Sequence, residues 1–385
     1  MDRVCRRATR PARCADRCNV PISSVPASPC SRREAVTRGR VAILSARTGW
    51  GHQSVDEALA EAWEPSEVVI LYPEQLFAMP LLRHLPWVYD HVMAKCTWLY
   101  DLAYRMTDSE PATRIISKLA RTLLARRAAS ALSSTDPSLI VVTHPLFLGA
   151  VAVAATSRLI SRPPVVVVVN DPVSPHASWV QGGVDLTCLP SHQAVAHLAT
   201  RGLRGPLQVT GLPVRSAFLQ LPETRRRRTT KEPILVLGRS SASLEHRVRL
   251  QLAALDLDIS LRRLDGTSEL RPRDGLEMAM AMSSSSAVVS KAGPSTILEA
   301  ATLGVPLLLT AECGGQEAGN VDWAVRNGLA LDARSEPLLR AALRSVFREG
   351  WVPNGLDGIT PAPQNAALGV VSSAEALADR RVRCP

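Results

Sequence analysis

Aromatic residues are scarce in this 385-residue chain, which has four Phe, four Tyr and seven Trp. Long apolar runs are absent too. None approaches the roughly 20 residues that a bilayer-spanning helix needs. The N-terminus carries Arg but no apolar core segment, so no signal peptide is expected. Cysteine is sparse and unevenly placed. Cys5, Cys14, Cys18 and Cys30 crowd the start, while Cys96, Cys188, Cys313 and Cys384 are scattered like reduced thiols. Cys14 and Cys18 are not followed by a His or Cys pair of metal-ligand spacing, so a disordered extension is expected there rather than a zinc site. These absences point away from a membrane-spanning or disulfide-stapled protein and towards a cytoplasmic or peripheral globular one.

The charge is equally local. Residues 1–40 hold ten Arg against Asp2, Asp16 and Glu34, so +7 of the net +10 belongs to a tail and the body is nearly neutral. A nucleic-acid enzyme would spread its basic surface through the folded body, so nucleic acid is not an expected partner. From residue 41 the chain alternates strand-like and helix-like segments. Val41–Ser45, Val68–Leu71 and Leu139–Thr143 read as strands, and five consecutive valines, 165–169, suit a central parallel strand buried on both faces. Helices are expected over 54–62, 110–132 and 148–155. Pro222 and the run 225–228 break the pattern, and a second α/β series starts at Ile234. The expected class is α/β, two Rossmann-like doubly wound domains facing a cleft. The expected divisions are a basic tail (1–40), an N-terminal domain (41–221), a C-terminal domain (232–350) and a weakly structured tail (351–385).

Four turns carry candidate chemistry. Ser290-Lys291-Ala292-Gly293-Pro294-Ser295-Thr296 joins an apolar strand to a helix containing Glu299. A helix start with small residues and hydroxyls suits a phosphate, but it also suits an ordinary turn capped by Ser295. Glu299, one turn in, can accept bonds from sugar hydroxyls. Gly49-Trp50-Gly51-His52 puts a histidine at the start of a helix at the carboxyl edge of the first sheet, as a general base or as a cap. Asn170-Asp171-Pro172 follows the valines, with His176 and Trp179 close behind, at a ligand-binding edge or in a plain Asp-Pro turn. Gly315-Gln316-Glu317-Ala318-Gly319-Asn320 follows another strand and offers amide and carboxylate groups to sugar hydroxyls. Seven aromatics lie between Tyr72 and Tyr104, just before the basic stretch 105–127, a composition that fits either a bilayer interface or a core helix pair.

In order, these motifs resemble the lipid glycosyltransferases of GT-B fold: the monogalactosyldiacylglycerol synthase and processive diacylglycerol glucosyltransferase family, with the peptidoglycan transferase MurG as a more distant relative. The likeness runs from about Val41 to Leu331 and includes Val209-Thr210-Gly211-Leu212-Pro213-Val214. It implies an inverting hexosyltransferase that takes a UDP-sugar donor and a lipid acceptor such as diacylglycerol. It implies donor contacts from Gly293, Ser295, Thr296, Glu299, Gln316, Glu317 and Asn320. His52 and Asp171 would be catalytic, with Gly49, Gly51, His176 and Trp179 lining the acceptor side. No metal or other cofactor is implied. The expected setting is an anionic membrane surface, at the inner face of the cell membrane. Other readings stay open: a polyprenyl or soluble acceptor, a nucleotide-sugar-binding pseudoenzyme, or a hydrolase or epimerase. The chain has Trp50 where the family has a third glycine. The span from Gly238 to Ser290 looks short by a βα piece.

Overall fold

Short β-branched runs separated by helices dictate parallel sheets covered on both faces. The computed structural model describes residues 39–383 except 47–49, 64–67, 77–101, 103, 150, 152–162, 224–227, 239–240, 265–274, 313–314, 316, 318, 357–358 and 360. The first sheet is built from Arg40–Leu44 (β1), Val68–Leu71 (β2), Pro137–Val142 (β3), Val165–Val168 (β4), Leu186–Leu189 (β5) and Leu207–Val209 (β6). Its spatial order is β2-β1-β3-β4-β5-β6, parallel throughout. The second uses Ile234–Leu237 (β7), Leu261–Leu264 (β8), Ala287–Lys291 (β9), Leu307–Ala311 (β10) and Leu331–Asp332 (β11). Its order is β11-β10-β9-β7-β8, again parallel. This is the expected doubly wound α/β architecture with two sheets.

Strand alternation divides the core. In the first sheet Ala42, Leu44, Ile140, Val142, Val165 and Val167 face one cluster, and Val41, Ile43, Leu139, Val141, Val166 and Val168 face another. The second cluster does not stop at the sheet. It continues through Val55, Leu59 and Phe218 to Ile297, Val288 and Leu309 beside the second sheet. An unbroken apolar core therefore joins both halves.

Of the helices, Trp50–Ala62 (α1) starts four residues earlier than expected, and Glu110–Thr135 (α2) carries the basic stretch. Ser109 caps α2 by accepting from the Ala112 N–H, and Asp136 ends it in a left-handed conformation, φ 46°. The span 238–290 holds Ser241–Ala254 (α3), β8 and Gly275–Ser283 (α4). Pro294–Thr302 (α5) and Asn320–Arg326 (α6) follow β9 and β10.

The C-terminal stretch corrects an expectation. Residues 351–385 are not a weakly structured tail, because Ala366–Arg383 forms an 18-residue helix (α7). Ala366, Val370, Ala374 and Ala378 recur every four residues and are buried, and the helix packs against α1 and β3 of the first sheet. Prolines that dilute the pattern at 353, 361 and 363 lie in the connection before it. Of the helix expected over 148–155, residues 148, 149 and 151 are helical and the rest lie outside the described residues, as do most of the aromatic segment 72–104 and the 1–40 tail up to residue 38.

Candidate active site

Each sheet has one point where the chain reverses its direction of strand addition, and ligands of open α/β sheets bind at the carboxyl ends of strands there. In the first sheet that point lies between β1 and β3; in the second it lies between β7 and β9. The first is flanked by α1, which carries His52, and by Thr143-His144 after β3. The second is flanked by Lys291-Ala292-Gly293 and the start of α5.

His52 is 5 % exposed. Its Nδ1 lies 3.1 Å from the Thr143 carbonyl. A carbonyl only accepts, so this contact places the hydrogen on Nδ1 and leaves the lone pair on Nε2. The Asn170 carboxamide reaches the same nitrogen, with Nδ2 at 2.6 Å, while its Oδ1 is buried without a partner. Turning the amide so that Oδ1 faces Nδ1 supplies a second acceptor for that N–H and satisfies the oxygen, in exchange for the 3.4 Å bond that Nδ2 donates to the Thr143 carbonyl. The His144 ring packs at 4.6 Å from that of His52. Burial, aided by the Lys291 charge and opposed by the Thr143 contact, pushes His52 down to about 4. His52 is therefore neutral at physiological pH.

Opposite stands the start of α5. Its cap residue is Gly293, which has no side chain to close the first-turn N–H groups. Ser295 is not the cap: its hydroxyl donates across to the Gly51 carbonyl at 3.2 Å. The capped-turn reading of this segment is thereby overturned, and two helix N-termini, those of α1 and α5, approach one another. The loop after β10 braces this turn. The Lys291 ammonium pairs with Glu317, and the Asn320 carboxamide donates to the Ala292 carbonyl at 3.0 Å. Thr296 lies beside Gly293, where its hydroxyl would be 3.7 Å from an added Cβ.

Glu299 is buried and already engaged. Arg215, between β6 and a short helix, donates to Glu299 Oε1 through Nε and Nη2, both at 2.9 Å. It reaches Glu57 of α1 through Nη1 at 3.1 Å. Burial raises the Glu299 carboxyl, and the Arg215 charge and the Ser54 hydroxyl of α1 oppose that rise. On the first-domain side, Asp171 Oδ2 accepts from the Trp179 indole N–H at 3.3 Å. His176 Nδ1 accepts from the Ser178 N–H at 3.0 Å, closing the turn Ala177–Trp179. Its Nε2 is 3.2 Å from the Thr107 hydroxyl, and its ring stands edge-on to Tyr104 at 4.5 Å.

Among the described residues the structure thus brings together His52 and Gly51 with Ser295, Glu299 and the Lys291 turn, with Glu317 and Asn320 bracing it. The residue meeting His52 from the β4 edge is Asn170, while Asp171 turns to Trp179. Gly49 and Gln316 lie outside the described residues. Sequence reading missed Thr143, His144, Asn170 as a partner, Asp56 and Arg215. The placement of Thr143-His144 at a strand's carboxyl end was the one signal available.

The chain matches the family model described as monogalactosyldiacylglycerol (MGDG) synthase over residues 52–214, and that of the glycosyltransferase family 28 C-terminal domain over 276–316. It is 27 % identical over 346 residues to monogalactosyldiacylglycerol synthase 1, chloroplastic, of Arabidopsis thaliana, covering 80 % of this chain and 64 % of that protein. A probable chloroplastic monogalactosyldiacylglycerol synthase of Nicotiana tabacum is also 27 % identical, over 77 % of this chain and 62 % of its own length. The chain thus spans somewhat less than two thirds of these relatives. Among solved structures, Acinetobacter baumannii MurG aligns with a TM-score of 0.51 at 14 % identity, over 88 % of this chain and 99 % of that one. These matches uphold the resemblance read from the motifs, and the fold is GT-B.

Proposed function

We propose, from this kinship to MGDG synthases and the geometry above, that the chain is an inverting glycosyltransferase. It moves a hexose from a UDP-sugar to the hydroxyl of a lipid such as diacylglycerol. The observation carrying this reading is the meeting of His52 with the uncapped start of α5, spanned by the 3.2 Å contact from Ser295 to Gly51. The diphosphate lies at the first-turn N–H groups of α5, where the dipole favours an anion, with Lys291 beside it. Gly293 gives it backbone access. Glu299 exchanges Arg215 for the ribose hydroxyls, and the loop holding Gln316, Glu317 and Asn320 borders the hexose.

In the transfer, His52 Nε2 takes the proton of the acceptor hydroxyl as its oxygen attacks the anomeric carbon. A new carbon–oxygen bond forms on one face, and the bond to the diphosphate breaks on the other. The leaving UDP takes the electron pair and is stabilised by the helix start. Asp171, His176, Trp179, Gly49 and Gly51 border the acceptor.

The acceptor is delivered from an anionic membrane surface, at the inner face of the cell membrane. Leu102, Met106 and Ile115 are exposed at 47 %, 69 % and 70 %, with Arg105, Arg114 and Lys118 exposed among them. Among the described residues no helix is long and apolar enough to cross a membrane. Incubation with labelled UDP-hexoses and a mixed lipid extract tests the reading. A labelled lipid-soluble product is expected, and its absence with every donor would sink the proposal. Full activity on a water-soluble acceptor without liposome binding would replace the lipid by a soluble acceptor.

A further inference from the structure

Among the described residues no carboxylate stands against His52 Nδ1. The ring is met at Nδ1 by the Thr143 carbonyl and by the Asn170 carboxamide, and Thr143 is itself held at two points. Its N–H donates to the Leu44 carbonyl at 3.1 Å, extending the β1–β3 pairing beyond β3. Its hydroxyl has one hydrogen and two oxygen neighbours: the Leu44 carbonyl at 3.3 Å and Asp56 Oδ1 at 2.6 Å. One hydrogen cannot serve both, and 2.6 Å is the separation of a strong O–H···O bond. Both contacts are made when Asp56 carries a proton. The carboxyl O–H then donates to Thr143 Oγ1, whose own hydrogen goes to Leu44.

The surroundings favour that form. Asp56 is 1 % exposed, and the neighbouring charge acting on it is that of Glu57, of the same sign. Burial raises its pKa to about 7, against the hydroxyls of Ser45 and Thr143. Asp56 also lies one turn beyond His52, so a single face of α1 presents the base to the Thr143 carbonyl and the carboxyl to the Thr143 hydroxyl.

We propose that Asp56 is a positioning residue, a neutral carboxylic acid that clamps Thr143 so that the Thr143 main-chain carbonyl holds His52 as the Nδ1–H tautomer. The inference rests on His52 being the base, as read above. An ionised carboxylate at Nδ1 would both orient the ring and raise its basicity. A neutral clamp fixes geometry alone and leaves the basicity of Nε2 to respond to the charge of the bound donor.

The test uses the full chain with the UDP-hexose and lipid that turn over in the screen above, and compares Asp56→Asn, Asp56→Ala, Thr143→Val and His52→Ala. The Asn amide donates the same hydrogen as a protonated carboxyl, so Asp56→Asn is expected to keep kcat within about threefold of the parent. Asp56→Ala and Thr143→Val are expected to lower kcat about 10- to 100-fold with KM little changed, the usual scale for losing a group that orients a functional side chain. Ring ¹⁵N spectroscopy of His52 reports the clamp without turnover: Nδ1–H in the parent and in Asp56→Asn, a tautomer mixture in Asp56→Ala. An Nε2–H tautomer in the parent, or an Asp56→Asn as damaged as Asp56→Ala, would overturn the proposal. So would a parental kcat in Asp56→Ala. Full activity in His52→Ala, with the parent showing the Nδ1–H tautomer, would instead remove the base reading and leave the clamp.

Discussion

At the scale of single residues, the acid–base behaviour of His52 follows from what surrounds it. Its pKa of about 4 reflects burial and the Lys291 charge. As the proposed base, His52 works unprotonated, so activity is expected to fall as pH drops through that value. The acid limb of kcat/KM, which reports the free protein, is expected near pH 4. Bound diphosphate brings negative charge that favours the imidazolium, so the acid limb of kcat is expected at higher pH. Lys291→Gln removes a cation and should move the kcat/KM limb upward; steady-state pH profiles measure both, and coincident limbs in every case would remove His52 from the titration. Asp56 makes a complementary prediction about stability. Its folded pKa, about 7, lies above the ordinary 3.8, so the folded state holds the proton more tightly. Its contribution is full below pH 4 and is lost as pH rises towards 7, by up to roughly 4 kcal/mol for a three-unit shift. Denaturation of Asp56→Asn across pH 4–7 should show a correspondingly flatter decline.

At the scale of elements, strands and helices were legible and contacts between distant segments were not. Val165–Val169 announced a buried strand because β-branched residues without polar interruption have no solvent face, and β4 is buried throughout. The turn before α5 was legible as a phosphate site or a turn capped by Ser295, and the geometry removes the second: the cap is Gly293. The partners of His52 were illegible for a simpler reason. Thr143 lies 91 positions away and Asn170 lies 118, and no local spacing encodes such pairs. The C-terminal helix was misread because nearby prolines masked its four-residue apolar repeat. Gly293 itself separates fold from function. Its φ of −68° suits any residue, and an added Cβ would meet only the Thr296 hydroxyl at 3.7 Å and Glu317 at 4.0 Å. The fold thus has no need of glycine here, whereas a phosphate approaching the helix start does. Gly293→Val is expected to weaken UDP binding at least about tenfold, or about 1.4 kcal/mol, with Tm nearly unmoved; calorimetry and thermal melts together decide it.

At the scale of the whole molecule, the two sheets share an apolar core and a buried ionic link. Arg215 joins Glu299 on α5 to Glu57 on α1, with its guanidinium 4.9 Å from the centre of the Phe218 ring. Removing one partner of such a link leaves a charge buried without compensation, which costs far more than a surface pair does. Arg215→Ala is therefore expected to destabilise by about 3 kcal/mol, and Glu299→Gln in the same background should recover part of that loss because the amide is neutral. Chemical denaturation of the two single variants and the double variant measures the coupling. A cost below about 1 kcal/mol would mean that water already screens the link. Donor binding separates this link from a general weakening of the fold. If the ribose takes Glu299 from Arg215, then Arg215 competes with the donor, and Arg215→Ala should bind UDP no less tightly than the parent despite its lower stability. A loss of UDP affinity in step with stability would instead make Arg215 a donor ligand, and would recast the link as part of the site rather than a contact that the donor replaces.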